Sequence, residues 1–169
     1  MGFFDRFRKP APAVEDAVPL PPVPTAASIE QSLDKVARLV DAADVPSAVR
    51  SRAMRVVTLV RQTLPRLDNL GLGSYDAYSV MATATDYLPE ALGAYLRLPR
   101  DWADTRPVQG RKTSLMVLID QLDLLGATMD GFYDAANRTD AAALLAHGQF
   151  LQEKFGHASD HEIQLGAAS

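Results

Sequence analysis

The stretch LMVLIDQLDLLGATMDGFYDA, residues 115–135, gives the clearest structural signal in the chain, and DAAALLAHGQFLQEKF, residues 140–155, continues it. Apolar residues recur at alternating steps of three and four, the period of a helix face that packs against neighbouring helices. NRTD, between the two stretches, indicates a turn. The pattern predicts two helices packed as an antiparallel hairpin, with Gly148 allowing close approach. The seam residues are Leu115, Leu118, Leu122, Leu125, Met129, Phe132 and Ala136, then Ala141, Leu144, Gly148, Leu151 and Phe155.

Three further helices are predicted upstream. The first begins with a capping box of Ser28 and Gln31, the second follows Pro46, and the third begins near Ser74 after the glycines of NLGLGS. Thr113 caps the helix that contains residues 115–135. Almost no window alternates with a period of two, so strands are not expected. The three apolar stripes are Ile29, Leu33, Val36, Val40 and Ala43; Val49, Ala53, Val56 and Val60; and Tyr78, Met81, Thr85 and Leu88.

The stretch DYLPEALGAYLRLPRDWA, residues 86–103, contains two prolines. Pro89 removes the backbone hydrogen bond to the Thr85 carbonyl, which predicts a kink there or the start of a new helix. Pro99 is predicted to end the helix. The apolar spacing nevertheless continues across Pro89, through Leu88, Leu92 and Tyr95.

The predicted fold is all-α, an antiparallel bundle of about five helices with a kinked, proline-containing central helix. Residues 1–9 are predicted to form a short amphipathic leader. Residues 10–27 hold six of the eleven prolines and are expected to be a disordered linker. Residues 28–156 form the bundle domain, and residues 157–169 a flexible C-terminal tail.

Composition restricts the classes of function. The chain has 169 residues, a net charge of −4 and no cysteine, which excludes disulfides and thiolate chemistry. The acidic total argues against nucleic acid as a partner. Apolar runs are shorter than the roughly 18–20 residues that span a bilayer, and the charged N-terminus is unlike a secretory signal. We therefore expect a cytoplasmic location.

The leader MGFFDRFRK leaves two interpretations open. On a helix, its aromatic residues share one face and its cations lie beside them, which suits docking to an anionic membrane surface or to a partner. It can equally be a disordered leader with no docking role. The candidate docking residues are Phe3, Phe4 and Phe7 with Arg6, Arg8 and Lys9.

Charges also segregate between two of the predicted helices. The second helix region holds five arginines and no acid, while the fourth helix carries a stripe of aspartates. The two faces either are solvated and pair within the bundle, or the arginine face binds anionic lipid, nucleic acid or an acidic partner. The arginines are Arg50, Arg52, Arg55, Arg61 and Arg66, and the aspartates are Asp120, Asp123, Asp130 and Asp134.

Patterns that carry chemistry are weak. His157 and His161 have the spacing of helical metal ligands, but no third ligand accompanies them from a structured element. GRKTS, residues 110–114, lacks the spacing of a phosphate loop and indicates a turn and a helix cap. Because no nucleophile, base and oxyanion site assemble, we predict no catalytic residue, metal or cofactor, and a non-enzymatic protein.

The motif Tyr87-Leu88-Pro89 with Tyr95 downstream, followed by the stretches at 115–135 and 140–155, resembles the 5-bromo-4-chloroindolyl phosphate hydrolysis (XpaC-like) family over about residues 75–155. That family is distantly similar to the toxic-anion-resistance TelA family. The resemblance implies association with membranes and with envelope or toxic-anion stress. It brings no catalytic residues with it.

The resulting hypothesis is a non-catalytic helical interaction or scaffold protein, peripheral to the cytoplasmic membrane. Its expected partner is another protein or a second copy of itself, with an anionic membrane surface contacted through residues 1–9. The alternative, implied by the family name, is hydrolysis of phosphate esters.

Overall fold

A computed structural model describes residues 23–71 and 73–164, with side chains as far as residue 156. A 3-10 helix, Leu64–Leu70, extends the second α-helix, and a π-helical turn, Thr83–Tyr87, joins the third to the fourth. The all-α class is confirmed. The helices are α1 (Ala26–Ala42), α2 (Ser47–Thr63), α3 (Tyr75–Ala82), α4 (Leu88–Leu96), α5 (Arg100–Thr105) and α6 (Ser114–Gln164).

Side-chain caps fix three of the helix starts. Thr25 accepts a hydrogen bond from the Ser28 backbone N–H at 3.1 Å, so α1 begins at Ala26 and the capping box of Ser28 and Gln31 is wrong. The predicted bundle boundary at residue 28 therefore falls two residues inside the helix. Ser74 caps α3 and Thr113 lies at the start of α6, both as predicted.

The predicted seams of α1, α2 and the first half of α6 form the core. Four of the α1 positions and all four of the α2 positions are buried, and the α6 seam packs onto the same cluster. The apolar spacing therefore identified the packed face of each helix correctly. The largest fully buried members are Ile29, Leu33, Val40, Val49, Val56, Val60, Leu122 and Met129.

The central helix continues on both sides of Pro89, as predicted, and the π turn accounts for its geometry. The Leu88 backbone N–H donates to the Thr83 carbonyl, five residues earlier, and the proline occupies the first turn of α4. The π turn contains one more residue than an α-helical turn, so it rotates the buried face of α3 relative to that of α4. Tyr78 is consequently 57% exposed rather than packed, which corrects the predicted stripe of α3. The buried positions are Ala77, Ser79, Val80, Ala82, Thr83, Ala84, Leu88, Leu92 and Tyr95.

Ion pairs show the relative directions of the helices. Arg61 of α2 contacts Glu30, near the start of α1, while Arg50 contacts Asp41 near its end, so these two helices are antiparallel. Helices α4 and α6 are also antiparallel, because the start of α4 faces residues 121–125 and its end faces residues 114–121. By contrast, α2 and α6 are parallel, because successive arginines of the α2 region meet successive aspartates of α6.

A short antiparallel hairpin precedes α6, contrary to the expectation that strands are absent. Strand β1 (Pro107–Gln109) pairs with β2 (Lys112–Thr113), and Gly110 adopts a φ of 59° in the turn. A left-handed backbone at that position suits glycine. Strands of three and two residues are too short to show a period of two, so the sequence pattern could not reveal them.

Helix α6 is continuous through NRTD, so the predicted hairpin of two helices is wrong. Asn137 and Thr139 each bond the carbonyl four residues earlier, at 2.8 and 3.4 Å, and Arg138 pairs with Asp134 at 2.7 Å. Polar side chains that satisfy themselves along the helix do not interrupt it. Among the residues that the structure describes, none of another element lies within 4 Å of a Cβ placed at Gly148.

The backbone remains helical as far as Gln164, so the predicted start of the tail at residue 157 falls within α6. Residues 165–169 lie outside the described residues. Among the helices that the structure describes, none combines the length and the apolar character needed to cross a membrane.

Candidate interaction surface

Each arginine of the predicted basic face has an acidic partner. The partners lie on α1 and α6, which flank α2, and the paired side chains are roughly one-third to two-thirds exposed. Such surface pairs contribute about 0–1 kcal/mol each, but together they neutralise the face. Of the two interpretations, intramolecular pairing is the one that these contacts support. The pairs are Arg50–Asp41 (2.5 Å), Arg52–Asp123 (2.8 Å), Arg55–Asp130 (3.7 Å), Arg61–Glu30 (3.0 Å) and Arg66–Asp140 (3.0 Å).

The family-like motif is divided between the core and the surface. Leu88 is buried, Pro89 is partly buried at the start of α4, and Tyr87 is 45% exposed. The Tyr95 ring is buried at the other end of α4. The motif residues thus have structural positions and do not converge on one site.

Tyr95 is the centre of a polar cluster that holds α5 against α4. Its phenol O–H donates to Asp104 Oδ1 at 2.8 Å, and Arg100 Nε donates to the other carboxylate oxygen at 3.2 Å. The guanidinium lies over the Tyr95 ring at 5.7 Å. Burial, reinforced by the hydrogen bond to Asp104, raises the pKa of Tyr95 to about 12. The phenol is therefore a hydrogen-bond donor rather than a base near neutral pH.

A shallow groove of about 390 Å³ lies between α4 and α6. Its lining is mostly apolar and includes Tyr87, Ala91, Ala94, Gln121 and Leu124. Within the described residues, no group of three or more His, Cys, Asp or Glu side chains could hold a metal ion. The groove can accept an apolar side chain, and Glu90 contributes a carboxylate to its lining.

An exposed apolar surface lies on the second half of α6. We call residues 138–156 the distal segment; every one of its side chains is exposed. Leu144 and Leu145 are 71% and 69% exposed, and Phe155 is 57% exposed. Phe150, 52% exposed, lies on the opposite side of the helix, and the other large apolar residues share one face, which is a mark of interaction sites. The distal apolar face consists of Ala141, Leu144, Leu145, Gly148, Leu151 and Phe155.

Asp140 marks the point at which α6 leaves the body of the protein. Its carboxylate accepts from Arg66 at 3.0 Å and from Asn69 at 2.7 Å. Within the described residues, no hydrogen bond or ion pair joins the chain after Asp140 to another element. At about 1.5 Å per residue, residues 141–164 extend for about 36 Å.

The sequence pattern predicted every residue of the distal apolar face except Leu145, but it assigned them to an internal hairpin. The spacing of apolar residues along α6 does indicate that the distal apolar face is exposed. At about 100° per residue, Phe155 lies about 100° around the helix from Ala136, the last buried residue of α6. One set of neighbouring helices cannot cover both faces, so the change of phase indicates a separate surface.

The other predicted site residues lie beyond what is described. Phe3, Phe4, Arg6, Phe7, Arg8 and Lys9 fall outside the described residues, as do the side chains of His157 and His161. The leader therefore stays a prediction of the sequence.

The chain matches no known family model, and neither a curated protein nor a solved structure matches it. The XpaC-like resemblance, and the phosphate-ester hydrolysis that its name implies, stay predictions.

Proposed function

We propose that the chain is a non-catalytic helical interaction or scaffold protein that binds a protein partner through the distal segment of α6. The observation that carries this proposal is the distal apolar face, which projects from a body whose own core is complete without it. Exposing several large apolar side chains on a lone helix is unfavourable in water, and a partner would remove that cost. Helix-to-helix docking along a stripe with three-four spacing is a common mode of recognition.

The arginine face also favours an apolar protein surface as the partner. Since Arg52, Arg55 and Arg66 already have acidic partners on α6, binding of an external anion would have to compete with intramolecular pairs. A partner that binds the uncharged distal apolar face does not have to displace any intramolecular ion pair. An apolar protein surface is therefore a better-suited partner for this chain than nucleic acid.

The membrane part of the proposal rests on the sequence of the leader. Phe3, Phe4 and Phe7 with their neighbouring cations suit weak adsorption to anionic lipid at the cytoplasmic face of a membrane. The link to envelope or toxic-anion stress rests on the family resemblance. Flotation with anionic vesicles compares the full chain with a chain lacking residues 1–9. Equal flotation of the two would contradict a role for the leader.

Photocrosslinking in living cells tests the interaction function. A photoreactive phenylalanine analogue placed at Leu144 is expected to give a discrete adduct with a protein. The same analogue at Ala146, which is exposed on the opposite side of α6, is the matched control. Equal, diffuse labelling from both positions would contradict the proposed function.

A further inference from the structure

The distal apolar face has the properties of a surface that binds itself. Its residues follow steps of three and four from Ala141 to Phe155, the spacing of a two-helix seam. On the basis of the proposed interaction function, we propose that the partner is a second copy of the chain. The two distal segments pack antiparallel, centred on Gly148.

Charge favours a second copy over a charged partner. Residues 141–152 contain no Asp, Glu, Lys or Arg. Two such segments can be brought together without like-charge repulsion, whereas a charged partner would find no complementary group on this face. Lys154 lies over the rings of Phe150 and Phe155, at 5.5 and 5.6 Å, and leaves the centre of the face uncovered.

The sizes of the side chains favour the antiparallel orientation. A two-fold axis at Gly148 places Ala141 opposite Phe155 of the second copy, so that a small residue faces a large one. The same axis places Leu145 opposite Leu151. Gly148 meets itself at the centre, where the open space around it permits close approach. A parallel pair would instead oppose Phe155 to Phe155 and Ala141 to Ala141, so that large residues face large ones and small residues face small ones.

The extent of the face predicts a weak dimer. A few leucines and one phenylalanine would bury on the order of 500 Å² per copy, below the roughly 800 Å² of a standard interface. We therefore expect a dissociation constant in the micromolar range. Monomer and dimer would exchange with concentration.

Sedimentation equilibrium of the full chain from about 1 to 500 μM tests the proposal. The expected result is a monomer–dimer equilibrium that Leu144→Glu weakens at least about 100-fold, because the substituted side chain enters the interface twice. Ala146→Glu, two residues away on the opposite side of the helix, is expected to leave the equilibrium unchanged. Both positions lie outside the core, so unchanged thermal unfolding of each variant shows that the body is intact.

Single cysteines test the orientation, since the chain has none of its own. Gly148→Cys is expected to form a disulfide-linked dimer. Ala141→Cys mixed with Phe155→Cys is expected to give the mixed dimer. Ala141→Cys alone is not, because its two copies would lie about 21 Å apart along the antiparallel axis, too far for a disulfide. Efficient self-linkage of Ala141→Cys would overturn the antiparallel arrangement.

Other results would overturn the second copy as partner. A chain that is monomeric at 500 μM would do so. If lipid vesicles capture the chain and Leu144→Glu abolishes this capture, the partner of the distal apolar face is a lipid surface instead. A dimer that forms only after residues 1–22 are removed would show that the chain covers its own face. If photocrosslinking at Leu144 yields only adducts with a different protein, the interaction function survives and self-association does not.

Discussion

Tyr95 couples a buried aromatic ring to a phenol whose proton is held by a carboxylate. Its pKa of about 12 lies above the ordinary value near 10, which the unfolded chain would show. Between these two values the unfolded chain releases a proton that the folded protein retains. The stabilising effect is therefore complete below pH 10 and is lost as the pH rises towards 12.

Replacement of Tyr95 by Phe tests this coupling. We expect the free energy of unfolding of the natural chain to fall between pH 9 and pH 11 by about 1 kcal/mol more than that of Tyr95→Phe. Near neutral pH the variant should be less stable by about 1–2 kcal/mol, since Asp104 loses a donor. Urea unfolding at a series of pH values measures both effects. Parallel pH profiles of the two proteins would contradict the raised pKa.

For single residues, the sequence predicts which side chains are buried better than it predicts their hydrogen-bond and ion-pair partners. The spacing places Tyr95 on the packed face, and its ring is buried. Its bond to Asp104 depends on how α5 folds back after Pro99, and α5 has only six residues. Similarly, the segregation of charge raises the possibility of internal pairs, but which aspartate meets which arginine depends on the parallel packing of α2 and α6.

The central helix accommodates Pro89 by means of the π turn that precedes it. A proline in the interior of a regular helix costs about 3 kcal/mol because it removes a hydrogen bond and crowds the preceding turn. In this chain the proline lies in the first turn of α4, where its missing N–H costs little.

We therefore expect Pro89→Ala to change the free energy of unfolding by less than about 1 kcal/mol. Urea unfolding of this variant beside Glu90→Ala, an exposed control in the same turn, provides the measurement. A gain in stability near 3 kcal/mol would mean that Pro89 strains a regular helix.

Among the helices and strands, those with long and regular apolar spacing were predictable. The seams of α1 and α2 and the first half of α6 each repeat over about three turns or more, and each is packed as expected. The π turn, the hairpin at 107–113 and the continuity of α6 were not predictable. The first two are set by a few backbone hydrogen bonds, and the third depends on polar residues that stay helical by bonding along their own helix.

At the scale of the whole molecule, α6 connects a packed body to an unpacked extension. Its first half completes the core against α2 and α4, and its second half carries the distal apolar face. This division explains why one continuous pattern in the sequence has two roles. The first half stabilises the fold, and the proposed role of the second is to bind a partner.

The central claim is that α6 continues as one helix and does not fold back on the body. Spin labels on cysteines replacing Ala127 and Gln152, both exposed, test it by pulsed electron paramagnetic resonance on the full chain. Excess unlabelled chain suppresses distances between copies. A continuous helix predicts a backbone separation of about 38 Å across these 25 residues. A separation below about 20 Å would show a hairpin at NRTD and would contradict the account.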